Sequence, residues 1–505
     1  MAGRLNLVGT VAIVAIGGLP AGVQAASCES LASLRLPGAT VTRAEGVGSG
    51  QFTPPAGRGR GGQDVFGTLP AFCRVAATLR PTADSAIRIE VWMPASGWNG
   101  KFLATGNGGW AGSIGFAALA DGVRRGYAVA STDTGHEGGN ATFIPGHPEK
   151  LVDFAERAIH EMTVAGKAVT AAFYDTGPRL SYFTGCSTGG RQALTAAQRY
   201  PADYDGIIAG APAVYGSHQS AGQLWIWNAT HQDEASFLSR DKLEVLHGAV
   251  LRACDAGDGV TDGVLENPAS CAFDPGVVQC PSGDGPDCLT APQVEAARKI
   301  YAGPVNPRTG ERIFPGLTPG SELGWGASAG ERPVGYAIDL YRYVVFEDEN
   351  WDPLTLDFDR DVARAARVAT PLIAVDPDLS PLVAAGGKLL IYAGWGDPGI
   401  PPGYMPEYYR NVVSSLGADT ARDSVRLFMV PGMGHCGGGD GTSTFDMIGV
   451  MAQWAERGVT PDRIEASRIR DGQVDRTRPL CPYPQVAAYT GTGSTDRTEN
   501  FVCRE

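Results

Sequence analysis

Hydrophobic and polar positions change period several times along this chain. Residues 87–92 alternate (Ile87, Ile89 and Val91 against Arg88 and Glu90), the period-two pattern of a half-buried strand. Short apolar runs at Lys101–Ala104 and Tyr127–Ala130 also predict strands. Segment 150–175 instead places Phe154, Ala158, Ile159, Met162, Ala165 and Val169 at helical spacing. Strand Leu180–Thr184, helix Gly190–Arg199 and strand Ile207–Ala209 follow. Strand alternating with helix predicts a parallel sheet with crossover helices. The alternation stops between residues 215 and 380. That stretch holds four cysteines, an acidic loop, many Gly and Pro residues and scattered aromatics, and reads as an inserted lid. Strands resume at 388–392 and 425–430, then a helix at about 443–457 and a cysteine-bearing tail. The expected organisation is an α/β sheet domain of residues 26–214 and 381–505, interrupted by a lid of residues 215–380.

Composition narrows the function class. With 505 residues, 43% apolar and 19% charged, the chain is globular and large enough for a core plus an insertion. A net charge of −13 disfavours nucleic acid as a partner, because phosphate binding needs a basic footprint. The run Gly57-Arg58-Gly59-Arg60-Gly61-Gly62 reads as a surface loop. Residues 1–25 have the form of a secretory signal: Arg4, an apolar stretch from Leu5 to Val23, and a small-residue end at Ala25. A lipid anchor on Cys28 is a minor alternative, and no other stretch is apolar enough to span a bilayer. Export to the periplasm or the medium implies an oxidising compartment, so ten cysteines suggest five disulfides. Many pairings are open. Neighbours Cys254/Cys271, Cys280/Cys288 and Cys481/Cys503 suggest local loops, leaving Cys28/Cys73 and Cys186/Cys436.

The chemistry concentrates in three places. Gly185-Cys186-Ser187-Thr188-Gly189-Gly190 has the Gly-x-Ser-x-Gly form of a nucleophile elbow after a strand. Asp397 follows strand 388–392, and His435 follows strand 425–430. Serine needs a base, and the base needs an orienting group. The order Ser, Asp, His is that of the α/β-hydrolase fold. Ser187 and His435 each adjoin a cysteine, so a Cys186–Cys436 bond would hold them close. His136 is the one rival histidine and reads as structural. The Thr188 N–H is the first expected oxyanion donor. Gly108 or Gly109, in Thr105–Trp110, is the second. Separately, Asp255, Asp258 and Asp262 sit among glycines in an acidic loop, where clustered carboxylates suit Ca²⁺. A solvated acidic turn is the alternative to an ion there.

These residues resemble the tannase/feruloyl esterase family. The likeness rests on Gly185–Gly190, Tyr204–Pro212, Gly386-Gly387-Lys388-Leu389 leading to Asp397, and Gly434-His435-Cys436. It runs over about residues 28–503. The family includes feruloyl esterases, tannases and mono(2-hydroxyethyl) terephthalate hydrolase. The resemblance implies an α/β-hydrolase core, a large lid, the five cysteine pairs above and a structural lid calcium. That ion would be held by Asp255, Asp258, Asp262 and the carbonyls of Val260 and Val264. It implies aromatic-acid esters as substrates: hydroxycinnamates, gallates or terephthalate half-esters. Ile400 falls where some relatives place a larger group against the ring, and Trp325 and Trp351 are candidate ring contacts. Arg332, Arg342 and Arg360 are the lid candidates for a terephthalate carboxylate. A calcium-stabilised binding protein or a peptidase on the same scaffold is the alternative class, and an intact Ser-His-Asp set argues against the first.

Overall fold

The computed structural model describes residues 27–55 and 64–505. The expected signal segment and the Gly57–Gly62 run lie outside the described residues. Nine strands form one mixed sheet in the order β1-β2-β3-β5-β4-β6-β7-β8-β9. They are β1 Ala39–Val47, β2 Phe72–Leu79, β3 Ile87–Pro94, β4 Lys101–Thr105, β5 Ala128–Thr132, β6 Leu180–Cys186, β7 Gly206–Gly210, β8 Lys388–Gly394 and β9 Val425–Val430. The sheet is not wholly parallel. β1–β2, β2–β3 and β3–β5 pair antiparallel, and every pairing from β5–β4 to β8–β9 is parallel. The parallel strands read as continuous apolar runs because both their faces are covered. β1 has an exposed, mixed pattern, which hid it from the period count.

Helices cover both faces. One apolar cluster packs the helix Ala158–Tyr174 and the helix Thr188–Arg199 against the sheet. A second packs Phe116–Arg124 and Met447–Arg457 against the other face. This is an α/β-hydrolase architecture.

Register places the functional loops. Cys186 pairs with Gly210, Gly210 with Tyr392, and Gly394 with Val430. The C-terminal ends of β6, β7, β8 and β9 therefore lie along one edge. Open parallel sheets bind ligands at that edge. Residues 211–387 leave β7 and return at β8, carrying the helices Gly216–His231, Arg240–Cys254, Ala291–Ala302 and Arg360–Val368. Two further clusters fill this insertion, and one also takes in Trp110 and Phe154 of the core. After the last core helix, β10 Ile464–Arg470 pairs with β11 Gln473–Leu480, and β12 Val486–Tyr489 with β13 Phe501–Arg504.

Five disulfides join Cys28–Cys73, Cys186–Cys436, Cys254–Cys271, Cys280–Cys288 and Cys481–Cys503. The Cys28 sulfur is thereby occupied and cannot carry a lipid. Among the described residues no helix is long and apolar enough to cross a membrane.

Candidate active site

β6 runs directly into the helix Thr188–Arg199, and the turn between them is a single residue. Ser187 sits at φ 66°, ψ −120°, a region non-glycine residues avoid. The strain persists because the surroundings hold the turn. Ser187 N–H donates to the Gly210 carbonyl at 2.9 Å, and its own carbonyl accepts from Ala213 at 3.1 Å. Glycines make the turn possible. A Cβ on Gly185 would lie 2.6 Å from the Gly189 backbone, and one on Gly190 would run into the Gly210 carbonyl.

Asp397 is 1% exposed at the end of β8. Its Oδ2 receives a hydrogen bond from His435 Nδ1 at 2.7 Å. Its Oδ1 accepts from the N–H groups of Gly399 (2.8 Å) and Ile400 (2.9 Å). The acid and histidine loops also touch directly, Gly396 N–H donating to the Met433 carbonyl at 2.9 Å. Burial disfavours the charged imidazole, but the hydrogen bond and charge of Asp397 outweigh it. The pKa of His435 is therefore raised above its ordinary value. The Cys186–Cys436 bond, with Cα atoms 6.0 Å apart, ties the serine turn to the histidine loop.

Ser187 and His435 border one cavity of about 230 Å³. Thr188 and Gly109 line it with them; Gly108 does not. The Thr188 hydroxyl donates to the Gly109 carbonyl at 2.9 Å, joining the serine turn to the Gly108–Gly109 loop. Behind them Asn107 N–H donates to Gln192 Oε1 at 3.0 Å, and Asn107 Nδ2 to the Thr132 carbonyl at 2.8 Å. The loop is thus locked to the helix that follows Ser187. This combination can bind an ester carbonyl, attack it and stabilise the resulting oxyanion.

Ile400 lines the cavity, as expected. Trp325 and Trp351 do not, and that expectation is corrected. Trp325 is fully buried, its indole donating to Ser321 Oγ at 2.9 Å. Trp351 stacks on Tyr341 and Phe346, with ring centroids 5.2 Å away in each case. Both fill the insertion's own core. The cavity wall is built instead by residues that carry no motif: Ala213, Gln219, Gln223, Val334 and Tyr336, with Pro398 beside the acid. Only Pro398, adjacent to Asp397, was open to inference by position. Gln219 and Gln223 stand one helical turn apart on Gly216–His231, and nothing in the sequence marks that face. No Arg or Lys lines the cavity among the described residues. Arg342 Nε donates to the Trp351 carbonyl, and Arg360 pairs with Asp361. His136 is a loop prop: its Nε2 donates to the Trp110 carbonyl at 2.8 Å and its ring stacks on Phe143.

The acidic loop packs between the insertion and the C-terminal hairpins. Asp258, Asp262, Val260 and Val264 border a small space of about 20 Å³, with Glu266, Arg476 and Arg478. That volume suits a single water or ion. Asp258 is pushed above the usual carboxylate range by burial, then by the charges of Asp262 and Asp255. Asp255, expected as a third carboxylate ligand, does not border this space; it accepts from the Gly263 and Asp262 N–H groups instead. Among the described residues no three acidic, histidine or cysteine side chains converge as a ligand set. Calcium also takes backbone carbonyls, and the two carboxylates beside Val260 and Val264 are oxygen donors of the kind it uses. Arg476 and Arg478 pair with Asp262 and temper its charge.

The description "Tannase and feruloyl esterase" matches residues 73–504. An uncharacterized esterase of Xanthomonas campestris is 40% identical, covering 97% of this chain and 93% of its own. A probable feruloyl esterase B-2 of Aspergillus terreus is 34% identical over 95% of each chain. The crystal structure of feruloyl esterase B from Aspergillus oryzae superposes with a TM-score of 0.87 at 32% identity, covering 95% of this chain and 99% of that one.

Proposed function

The chain belongs to the tannase and feruloyl esterase family and is a carboxylic ester hydrolase, and from that premise we propose an exported serine esterase that cleaves esters of aromatic acids. Ser187 Oγ attacks the ester carbonyl while His435 Nε2 takes its proton. The oxyanion is received by the N–H of Thr188 and by the loop bearing Gly108 and Gly109. His435 returns the proton to the departing alcohol, and an acyl-enzyme remains. Water, deprotonated by His435, then releases the acid. Asp397 holds the imidazole in the tautomer this cycle requires. The observation that carries the reading is the 2.7 Å Asp397–His435 hydrogen bond opening on the cavity that the strained Ser187 also borders.

The walls favour a neutral aromatic acyl group. Ile400, Val334, Ala213 and Tyr336 offer apolar and aromatic surface, and among the described residues no Arg or Lys waits for a second carboxylate. Gln219 and Gln223 are buried, and their amide oxygens have no hydrogen-bond partner among the described residues. Such acceptors suit phenolic hydroxyls. Hydroxycinnamoyl and galloyl esters are therefore favoured over terephthaloyl half-esters.

Export is supported by the five disulfides. A structural Ca²⁺ would be held by Asp258, Asp262 and the Val260 and Val264 carbonyls, with Asp255 ordering the loop. Chelation should lower the melting temperature and added Ca²⁺ restore it; at a hundredfold excess over Kd the ion contributes about 2.7 kcal/mol. An unchanged melting temperature would remove the ion from the proposal.

The deciding experiment is hydrolysis of methyl ferulate, methyl gallate, mono(2-hydroxyethyl) terephthalate and p-nitrophenyl acetate, with Ser187→Ala as control. Activity on an aromatic ester, lost in the variant, is expected. Inactivity on all four, with Ser187 unlabelled by an organophosphonate, would overturn the reading.

A further inference from the structure

The N–H groups that hold Asp397 are themselves held from outside the catalytic core. Gly399 and Ile400 N–H both donate to Asp397 Oδ1. Each shares a rigid peptide plane with the carbonyl before it. The Pro398 carbonyl, in the plane of the Gly399 N–H, accepts from Ser328 Oγ at 2.6 Å. The Gly399 carbonyl, in the plane of the Ile400 N–H, accepts from Gln223 Nε2 at 2.6 Å. A third plane behaves alike. The Trp395 carbonyl accepts from the Thr318 hydroxyl, and the Gly396 N–H of that plane donates to Met433 on the histidine loop.

Ser328, Gln223 and Thr318 come from three separate segments of the insertion. The core satisfies only the inner side of this loop, through Trp395, Gly396 and Asp397 N–H groups. The outer carbonyls would otherwise face water, leaving the planes free to turn. A donor on a carbonyl also polarises the N–H of the same peptide, strengthening its hold on the carboxylate. The donors are in turn fixed. Ser328 is fully buried and Gln223 is 4% exposed. Trp325 holds Ser321, whose hydroxyl donates to the Thr318 carbonyl at 2.6 Å. Gly324 lies so close to the Pro398 ring that a Cβ there would sit 2.9 Å from Cγ.

We infer that Ser328, Gln223 and Thr318 are positioning residues: the insertion completes the acid–histidine pair through three peptide planes instead of merely roofing the cavity. This inference rests on the triad reading above. Interdomain adhesion without catalytic effect is the rival role, and kinetics separates the two.

The test compares Ser328→Ala, Gln223→Met, Thr318→Val and Thr318→Ser with the parent on its best ester, across about pH 5–9, the range in which a histidine titrates. Ser328→Ala should lose at least about tenfold in kcat, roughly 1.4 kcal/mol. The acid limb of its kcat/KM profile should move to lower pH, since Asp397 is the charged group facing His435. Thr318 does not line the cavity, so Thr318→Val should lower kcat with KM unchanged, and Thr318→Ser should restore it. Folded variants with lower melting temperatures but parental kcat and acid limb would overturn the inference. Should Ser328→Ala not fold, Thr318→Val, which lies off the cavity, supplies the same two readouts. The triad reading fails in a different way: a Ser187→Ala variant as active as the parent would sink it, and this inference with it.

Discussion

The serine turn and the acid loop do comparable jobs and are held by opposite means. Residues 185–190 are fixed by their immediate backbone neighbours: a strand, a helix, glycines that let two backbones touch, and the backbone bonds of Ser187 to Gly210 and Ala213. Residues 395–400 are fixed by hydrogen bonds, three of them from an insertion whose donors lie 70 to 176 residues away in the chain. A turn held by close packing can be written as a short motif, because each glycine answers a local clash. A loop held by donors from afar cannot, because a serine or glutamine in an insertion carries no mark of its partner. The contrast predicts that damage to the turn abolishes function outright, while damage to the loop's supports degrades it.

The largest effect belongs to the nucleophile. Ser187→Ala should lower kcat by about 10⁶-fold, the scale seen when a triad serine is removed. Residual hydrolysis at a tenth of the parental rate would show that another group attacks. Next is the bond that joins the two regions. The double variant Cys186→Ala/Cys436→Ala opens a link across 250 residues of sequence separation. It should lose about 2–5 kcal/mol in a denaturant titration. Turnover per folded molecule should fall as well, because the bond sets the approach of Ser187 and His435. Full turnover in the reduced-stability variant would make it a staple only. Gly190→Ala comes third. Its Cβ meets the Gly210 carbonyl and lies 2.8 Å from Pro212 Cα. Overpacking of this kind costs about 1–3 kcal/mol, and shifting β7 also displaces Ser187. A melting curve and a kcat equal to those of the parent would show that the turn tolerates a side chain.

How far the sequence could be read follows the same division. Strands β4 to β9 were legible because burial on both faces leaves unbroken apolar runs. β1 was not, because its residues are mostly half-exposed and no period survives. The convergence of Ser187 and His435 on one cavity, with Asp397 bonded to His435, was legible because each follows a strand and chain order constrains them. The cavity wall was not: Gln219, Val334 and Tyr336 meet only through the path of the insertion. Trp325 and Trp351 misled for a physical reason. Large aromatics fill cores as readily as they line sites, and sequence alone does not tell the two apart. Trp325 nonetheless reaches the site indirectly, by holding the segment that holds the acid loop.

The smallest effect is a displacement along the pH axis, and it tests the loop directly. In the proposed cycle His435 must be neutral to accept the serine proton, so kcat/KM should rise with pH through its pKa. Partial burial pulls that pKa down; the Asp397 hydrogen bond and charge push it up and prevail. The acid limb of the parent should therefore lie above about 6.5, the ordinary imidazole value. In Asp397→Asn the upward causes vanish and burial remains, so the limb should move below that value. Linkage gives the matching sign in stability. A histidine whose folded pKa is raised stabilises the protein fully below its unfolded pKa, and that contribution is lost as pH rises through the folded one. Chemical denaturation at pH values on either side of the limb should show this loss in the parent and its reversal in Asp397→Asn. A limb that stays in place in the variant would mean that Asp397 orients His435 without setting its charge, and the hold of the acid loop would then be geometric alone.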